Sequence, residues 1–164
     1  TMDPDKYAFT TNIISIFKSS SYLSLATIDP VDGVWINTLN FGYDKTPDLY
    51  YMSKISSRHS LNIIKNNKIS ASIFSTSQHP YKYVKGLQIT GKVKMLEDDQ
   101  LDLAASIYYG RNNIFYDPKM IMDKHSKDSV WKFYVIKINE IFIYDTEFLG
   151  DSRIQVPKKY MKLP

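Results

Sequence analysis

The sequence predicts a mainly β domain: a small closed or partly closed barrel of about six or seven antiparallel strands, with three short helices at its corners. Three observations carry this expectation. Strand-like segments outnumber helical ones and follow one another as meanders, which argues against a parallel doubly wound sheet. The 164 residues, 43% of them hydrophobic and 14% aromatic, suffice for one core without staples, so a single domain spanning residues 1–164 is expected. The chain has no cysteine, which excludes a disulfide framework, a thiolate metal site and a thiol nucleophile.

Asp3-Pro4 reads as an N-cap with proline in the first turn, opening a helix to about Lys18 with Tyr7, Ile13, Ile14 and Phe17 near one face. Residues 22–28 are short and rich in β-formers, and Asp29-Pro-Val-Asp-Gly33 is a turn. Val34 to Tyr43 then pairs back as a hairpin, and Leu49 to Met52 continues the meander. A polar stretch, Ser53 to Ser57, leads into a helix over Arg58–Lys65 with Leu61 and Ile64 at helical spacing and Ser56 or Ser57 as its N-cap. Ile69 to Thr76 is a strand. Gly86 to Leu96 alternates, with Leu87, Ile89, Val93 and Met95 on one side and Gln88, Thr90, Lys92 and Lys94 on the other. Acidic residues 97–99 suit a helix start, and Leu101, Ala104, Ala105 and Tyr108 form the buried stripe of a helix ending at Gly110. Residues 111–129 read as irregular. Two final strands, Val130–Ile138 and Glu140–Asp145, precede a tail that is loop or docking arm.

No run of about 18 apolar residues exists, so no membrane span is expected. Without the layout of a signal peptide, and without cysteine, a cytoplasmic location is expected. A dinucleotide glycine loop, a P-loop and a nucleophile elbow are all absent. The histidines, His59, His79 and His125, lie 20 and 46 residues apart, so no metal site is expected. Tyr81 and Lys85 are spaced like a reductase's catalytic pair, but lack the accompanying dinucleotide loop.

The net charge of +4 is mild, yet between Asp48 and Glu97 there are eight basic residues and no acidic one. The rest of the chain holds 13 basic and 17 acidic residues. A basic block in an acidic chain points to an anionic partner, a phosphorylated small molecule or nucleic acid, or else to a lysine-covered surface. Scattered aromatics in apolar strands are explained by core packing, so no nucleic-acid partner is expected. With 18 lysines and 3 arginines in the chain, Arg58 stands out, because a guanidinium grips phosphate bidentately.

The segment from Leu49 to His59 is a strand ending in a polar loop that opens a helix. Ser53, Ser57, Arg58 and His59 would gather hydroxyls, a guanidinium and free helix N–H groups around an anion. Charge-assisted hydrogen bonds of ~1.5–3 kcal/mol each supply much of the ~8 kcal/mol that micromolar binding requires. An N-capped helix with a surface arginine accounts for the same residues equally well.

The order of motifs resembles the FMN-binding split barrels similar to pyridoxamine 5′-phosphate oxidase over about residues 10–150. The segments carrying it are Ser24-Leu-Ala-Thr-Ile28, Asn37-Thr-Leu-Asn-Phe41, Leu49-Tyr-Tyr-Met-Ser53, Ser57-Arg58-His59 and Lys85-Gly-Leu-Gln-Ile-Thr-Gly91. Gln88 before Gly91, the helix over 101–109, Trp131, Asn139-Glu-Ile141 and Leu149-Gly150 resemble an uncharacterised bacterial branch. The resemblance implies an FMN-binding split barrel, a homodimer with FMN at the subunit interface, and an oxidoreductase of unknown small-molecule substrate. The alternative is a sensor or store that binds flavin, haem or deazaflavin without turnover. By position, Ser53, Ser57 and Arg58 resemble the phosphate contacts, with His59 where a lysine is usual. Asn37, Thr38 and Leu39 resemble the strand along the flavin ring. Gln88 would bond the flavin or ribityl chain, Lys85 would add charge, and Tyr144 would pack on the flavin. Ordinary strand, solvent-facing and packing roles are the alternatives. No acid–base residue presents itself. The oxidase's cations on the second strand and its arginine- and histidine-containing C-terminal signature are missing, with only Asp151 and Arg153 in rough register, which argues against pyridoxamine phosphate as substrate.

Overall fold

The computed structural model describes residues 7–79, 81–115, 117, 119 and 128–164. His125, the expected helix cap at Asp3-Pro4 and most of the segment expected to be irregular lie outside them; the first helix begins at Phe9, after Ala8 as its N-cap, so Tyr7 precedes it. The elements are α1 (Phe9–Ser19), β1 (Tyr22–Asp29), β2 (Gly33–Asn40), β3 (Gly42–Tyr43), β4 (Leu49–Lys54), α2 (Arg58–Lys65), β5 (Lys68–Phe74), β6 (Lys85–Met95), α3 (Leu101–Arg111), β7 (Trp131–Asp145) and β8 (Arg153–Gln155). All strand pairs are antiparallel, in the order β2-β1-β5-β6-β7-β4-β3, with β8 added to β7. The sheet curls into a barrel that is mainly β, as expected. It does not close: β2 and the two-residue β3 are its edges. Beyond Tyr50, β4 has no hydrogen-bonded strand on the side away from β7 among the described residues. The barrel is therefore split between β2 and β4.

Alternation sets the interior. Leu23 and Leu25 of β1, Ile69, Ala71 and Ile73 of β5, and Leu87, Ile89 and Val93 of β6 are buried together with Leu49 and Tyr51 of β4. The helix α1 closes one end with Phe9, Ile13, Ile16 and Phe17. Arg111, at the end of α3, ties the end of α1 in place: its guanidinium donates to the carbonyls of Phe17, Ser20 (2.6 Å) and Phe41 (2.5 Å). It also lies 4.1 Å from the centre of the Phe41 ring, so a cation serves as the C-terminal cap of α1.

Two expectations about strands are corrected. The last two predicted strands are one, β7, interrupted by a bulge: Thr90 pairs with Glu140 but Gly91 pairs with Ile138, leaving Asn139 unmatched. The extra residue reverses the side-chain alternation. Before it, Tyr134 and Ile136 face the barrel while Phe133 and Val135 face α3; after it, Ile141 and Ile143 resume the interior. One strand thus serves two cores. The second core is made by Leu101, Ala104, Ala105 and Tyr109 of α3 against Tyr50, Phe133 and Val135; Tyr109 takes the deeply buried place expected of Tyr108. The other correction is in the second strand, which stops at Asn40 and resumes for two residues after buried Phe41.

The expected stripe on α2 is also corrected. Leu61 and Ile64 are exposed, and the helix buries His59, Ser60, Asn62 and Ile63 instead. A mostly polar face can be buried because it is hydrogen-bonded; Asn62 Nδ2, for example, donates to Thr27 Oγ1 at 3.1 Å.

Gly91 sits beside the bulge with no room for a side chain, since a Cβ there would lie 2.5 Å from the Lys137 carbonyl oxygen. Backbone cannot move aside as a flexible side chain can. Gly91→Ala is expected to lower stability by about 1–3 kcal/mol, the range for overpacking, measured by urea unfolding.

Candidate functional site at the split

The turn between β4 and α2 is tight: Ser57 N–H donates to the Lys54 carbonyl at 3.1 Å and Ile55 N–H to the Val130 carbonyl at 2.9 Å. This brings Ser53, Ser57, Arg58 and His59 into one corner, as the sequence led us to expect. Ser53 Oγ lies 2.7 Å from His59 Nε2, and Ser57 Oγ lies 3.1 Å from the same nitrogen and 3.2 Å from Ser53 Oγ. Ser57 is the N-cap residue, yet its side chain bonds no helix N–H. It reaches the Lys54 carbonyl (2.9 Å) and Ser60 Oγ (2.8 Å) instead. Its single proton can serve only one of these two acceptors at a time, and its lone pairs face Ser53 and His59. The first-turn amides of α2 are thereby left without a side-chain cap.

Burial holds the His59 imidazole below its ordinary pKa of 6.5, so the ring is neutral at physiological pH. Arg58 is not a loose surface cation. Its Nε donates to Asp29 Oδ2 at 2.7 Å, its Nη2 donates to Asp32, and its guanidinium lies 4.2 Å from the centre of the Trp35 ring. Asp29 also accepts from the N–H groups of Val31 and Asp32, and the guanidinium together with these amides holds its carboxyl well below the usual range. Asp29, Asp32 and Trp35 are contacts that sequence reading missed, because pairings 23 to 29 residues apart leave no periodic signal.

Two buried polar side chains, one on each strand flanking the split, have polar atoms without a hydrogen-bond partner among the described residues. Asn37 follows Trp35 on the inward side of β2, one side-chain step or about 7 Å along the strand. Both polar atoms of its amide are buried without a hydrogen-bond partner among the described residues. Tyr51 precedes Ser53 by the same step on β4; its ring stacks on Tyr134 at 5.1 Å, and its hydroxyl is likewise buried and unpaired. Buried unsatisfied polar atoms are uncommon and costly. Leu39 packs on the barrel core, and Thr38 faces outward from β2 into a cleft of about 420 Å³ lined also by Ser24, Ser72 and Phe74.

The other predicted residues lie elsewhere on the chain. Gln88 is exposed on the outer face of the sheet, in a groove of about 390 Å³ with Ile36, Ser70 and Phe142. Lys85 is at the far end of β6, its Nζ 3.4 Å from Asn12 Oδ1 and Ser15 Oγ. That is six residues, about 20 Å, from Gly91, which is level with the α2 end of β5. Tyr144 is beside Lys85: it pairs with Gly86, its ring occupies the space a Cβ on Gly86 would need, and Arg153 lies 5.6 Å from the ring centre. Among the described residues no cluster of histidine and carboxylate side chains could hold a metal ion. Nor is any helix among them long and apolar enough to cross a membrane.

The depressed His59 pKa has a direct consequence for stability. The unfolded chain binds a proton near pH 6.5, while the folded corner resists it. Stability from this group is therefore full above that pH and falls as the pH drops toward the lower folded value. The His59→Gln variant, followed by thermal or urea unfolding from pH 8 to 5, should lose less stability on acidification than the native protein, by up to one proton's contribution.

No protein-family model matches the chain, and no curated protein matches it in sequence. Solved structures do share its architecture. A haem-binding protein from Mycobacterium smegmatis superposes with a TM-score of 0.73 at 13% identity, over 95% of this chain and 60% of its own length. A Clostridium acetobutylicum protein of the pyridoxine phosphate oxidase family, related to general stress protein 26 of B. subtilis, gives 0.65 at 16% identity, with 93% and 96% covered. The haem storage protein of Vibrio cholerae gives 0.66 at 16% identity, with 88% and 99% covered. At these identities the likeness is one of architecture, and the chain has the split-barrel fold.

Proposed function

We propose that the protein binds FMN in the split between β2 and β4, as a homodimer, and acts as an oxidoreductase on a small molecule. The observation that carries this reading is the buried, unpaired amide of Asn37 beside an edge strand. An amide offers a donor and an acceptor side by side, and the pyrimidine edge of a flavin presents the complementary alternation of carbonyl and N–H in one plane. Along β2, every second residue turns its backbone N–H and carbonyl toward the unpaired edge, which adds further donors and acceptors. At the other end of the split, the uncapped amides of α2 and the outer edge of the Arg58 guanidinium suit a phosphate.

A bound flavin would supply reversible electron transfer between a donor and an acceptor. The chain would hold it: Arg58 and the start of α2 at the anionic tail, Asn37 and the β2 edge at the ring. Thr38 and Gln88 face outward, away from the split of their own chain, so they would reach a ligand only in the site of a second protomer packed against this outer face.

That face supports the dimer. Val34 and Ile36 are 70% and 64% exposed, and Tyr22, Ile28 and Phe74 are exposed around them. The small side chains of Ser24, Ala26, Ser70 and Ser72 form a trough between them and Phe142. A contiguous apolar sheet face of this kind marks an interaction surface, and a self-complementary trough suits a two-fold pairing. The double variant Val34→Lys/Ile36→Lys should sediment as a monomer where the native protein is a dimer.

The second reading is a protein that binds flavin, haem or deazaflavin without turnover. At the corner Asp29 and Asp32 together outweigh the Arg58 charge, which favours an occupant whose hold there does not rest on a phosphate tail. Titration with FMN and riboflavin, followed by flavin fluorescence, tests the first reading. FMN should bind tighter than riboflavin, and Arg58→Ala should remove about tenfold or more of that preference, the loss expected for a charge-assisted hydrogen bond. A protein that takes up haem and no flavin, or flavin without oxidising NADH or NADPH, would favour the second reading.

A further inference from the structure

Arg58 is the one guanidinium at the corner, yet two of its faces are already in use. The two carboxylates that use it differ. The Asp29 side chain is 5% exposed, accepts two backbone N–H groups of its own turn, and meets Nε, the inner nitrogen. The Asp32 side chain is 60% exposed, has no other hydrogen bond among the described residues, and meets Nη2, a terminal nitrogen of the kind that forks onto a phosphate. The Trp35 ring beneath the guanidinium holds its plane.

We infer that the β1–β2 turn is a built-in regulator of anion binding at this corner: Asp29 is a positioning residue that fixes the guanidinium on Trp35, and Asp32 is a resident competitor for the terminal nitrogen that an incoming phosphate needs. The ligand in this inference rests on the flavin reading; the latch itself does not. An arriving phosphate exchanges with the Asp32 carboxylate, which swings into solvent, while the Asp29 contact persists. Asp32 therefore sets how strongly the site prefers a phosphorylated ligand over its dephosphorylated form. Exposed ion pairs of this type are weak and salt-screened, so the exchange is within reach of ordinary binding energies.

The test is a mutant cycle of Asp32→Asn and Arg58→Ala, read by calorimetric titration with FMN, riboflavin and inorganic phosphate. The Arg58 Nε–H resonance is followed alongside by NMR. Asp32→Asn should tighten FMN by about threefold to fivefold, the range that releasing an exposed pair allows, and leave riboflavin unchanged. The gain should vanish in the Arg58→Ala background. Asp29→Asn keeps an oxygen for the turn amides, so it should fold; it should shift the Arg58 Nε–H resonance and weaken FMN. An unchanged or weaker FMN affinity in Asp32→Asn, or a gain that survives Arg58→Ala, overturns the inference. If neither flavin binds the native protein, the flavin reading fails separately, and phosphate decides the latch. A lower phosphate concentration shifting Arg58 Nε–H in Asp32→Asn than in the native protein supports it, and equal or no response overturns it.

Discussion

Strand β2 pairs with β1 along all eight of its residues, and among the described residues no strand bonds its other edge. Backbone donors and acceptors on that edge must be met by something other than a neighbouring strand, and the rest of the site is arranged around this constraint. The chain does not bring β4 close enough to close the ladder. Instead, α2 is laid across the end of the split, bonded to β4 through Ser53 and His59 and to β1 through Asn62 and Thr27. Arg58 then clamps the β1–β2 turn. The two sides of the split are thus tied together through α2 by side-chain hydrogen bonds rather than by a strand ladder.

This explains why α2 presents the polar side of its surface inward. An apolar face with Leu61 and Ile64 buried would pack, but it would take the His59 partner from Ser53 of β4 and the Asn62 partner from Thr27 of β1 in a buried place. A hydrogen-bonded polar face is stable only when every member is satisfied. At the corner Ser53, Ser57, Ser60 and His59 bond one another. Deeper in the split the rule is broken by Asn37 and Tyr51. Such breaches, on otherwise well-packed strands, are where sites are expected.

Much of the fold was legible in the sequence, because alternation in β1, β5 and β6 and the polar turns between them are local signals. The joined β7 was not, since a bulge at Asn139 looks like a strand end when the alternation reverses. The inverted face of α2 was not legible either: helical spacing finds apolar residues but cannot say that a polar face is the one with partners. At the site, the grouping of Ser53, Ser57, Arg58 and His59 followed from their closeness in sequence. The pairing of Arg58 with Asp29 and Asp32 did not, and neither did the separation of Lys85 and Tyr144 from that corner. Both depend on how distant strands are laid side by side.

If the split is a cofactor cleft, a ligand must touch both of its walls at once. The most direct measurement is an NMR titration of the native protein with FMN, following backbone amides. Resonances from the β2 edge (residues 36–39) and from the start of α2 (residues 58–60) should shift together with one affinity, along with the side-chain amide of Asn37. Shifts at neither wall, or at one wall alone while the Asn37 amide stays unmoved, would contradict the assignment of the split as the binding site.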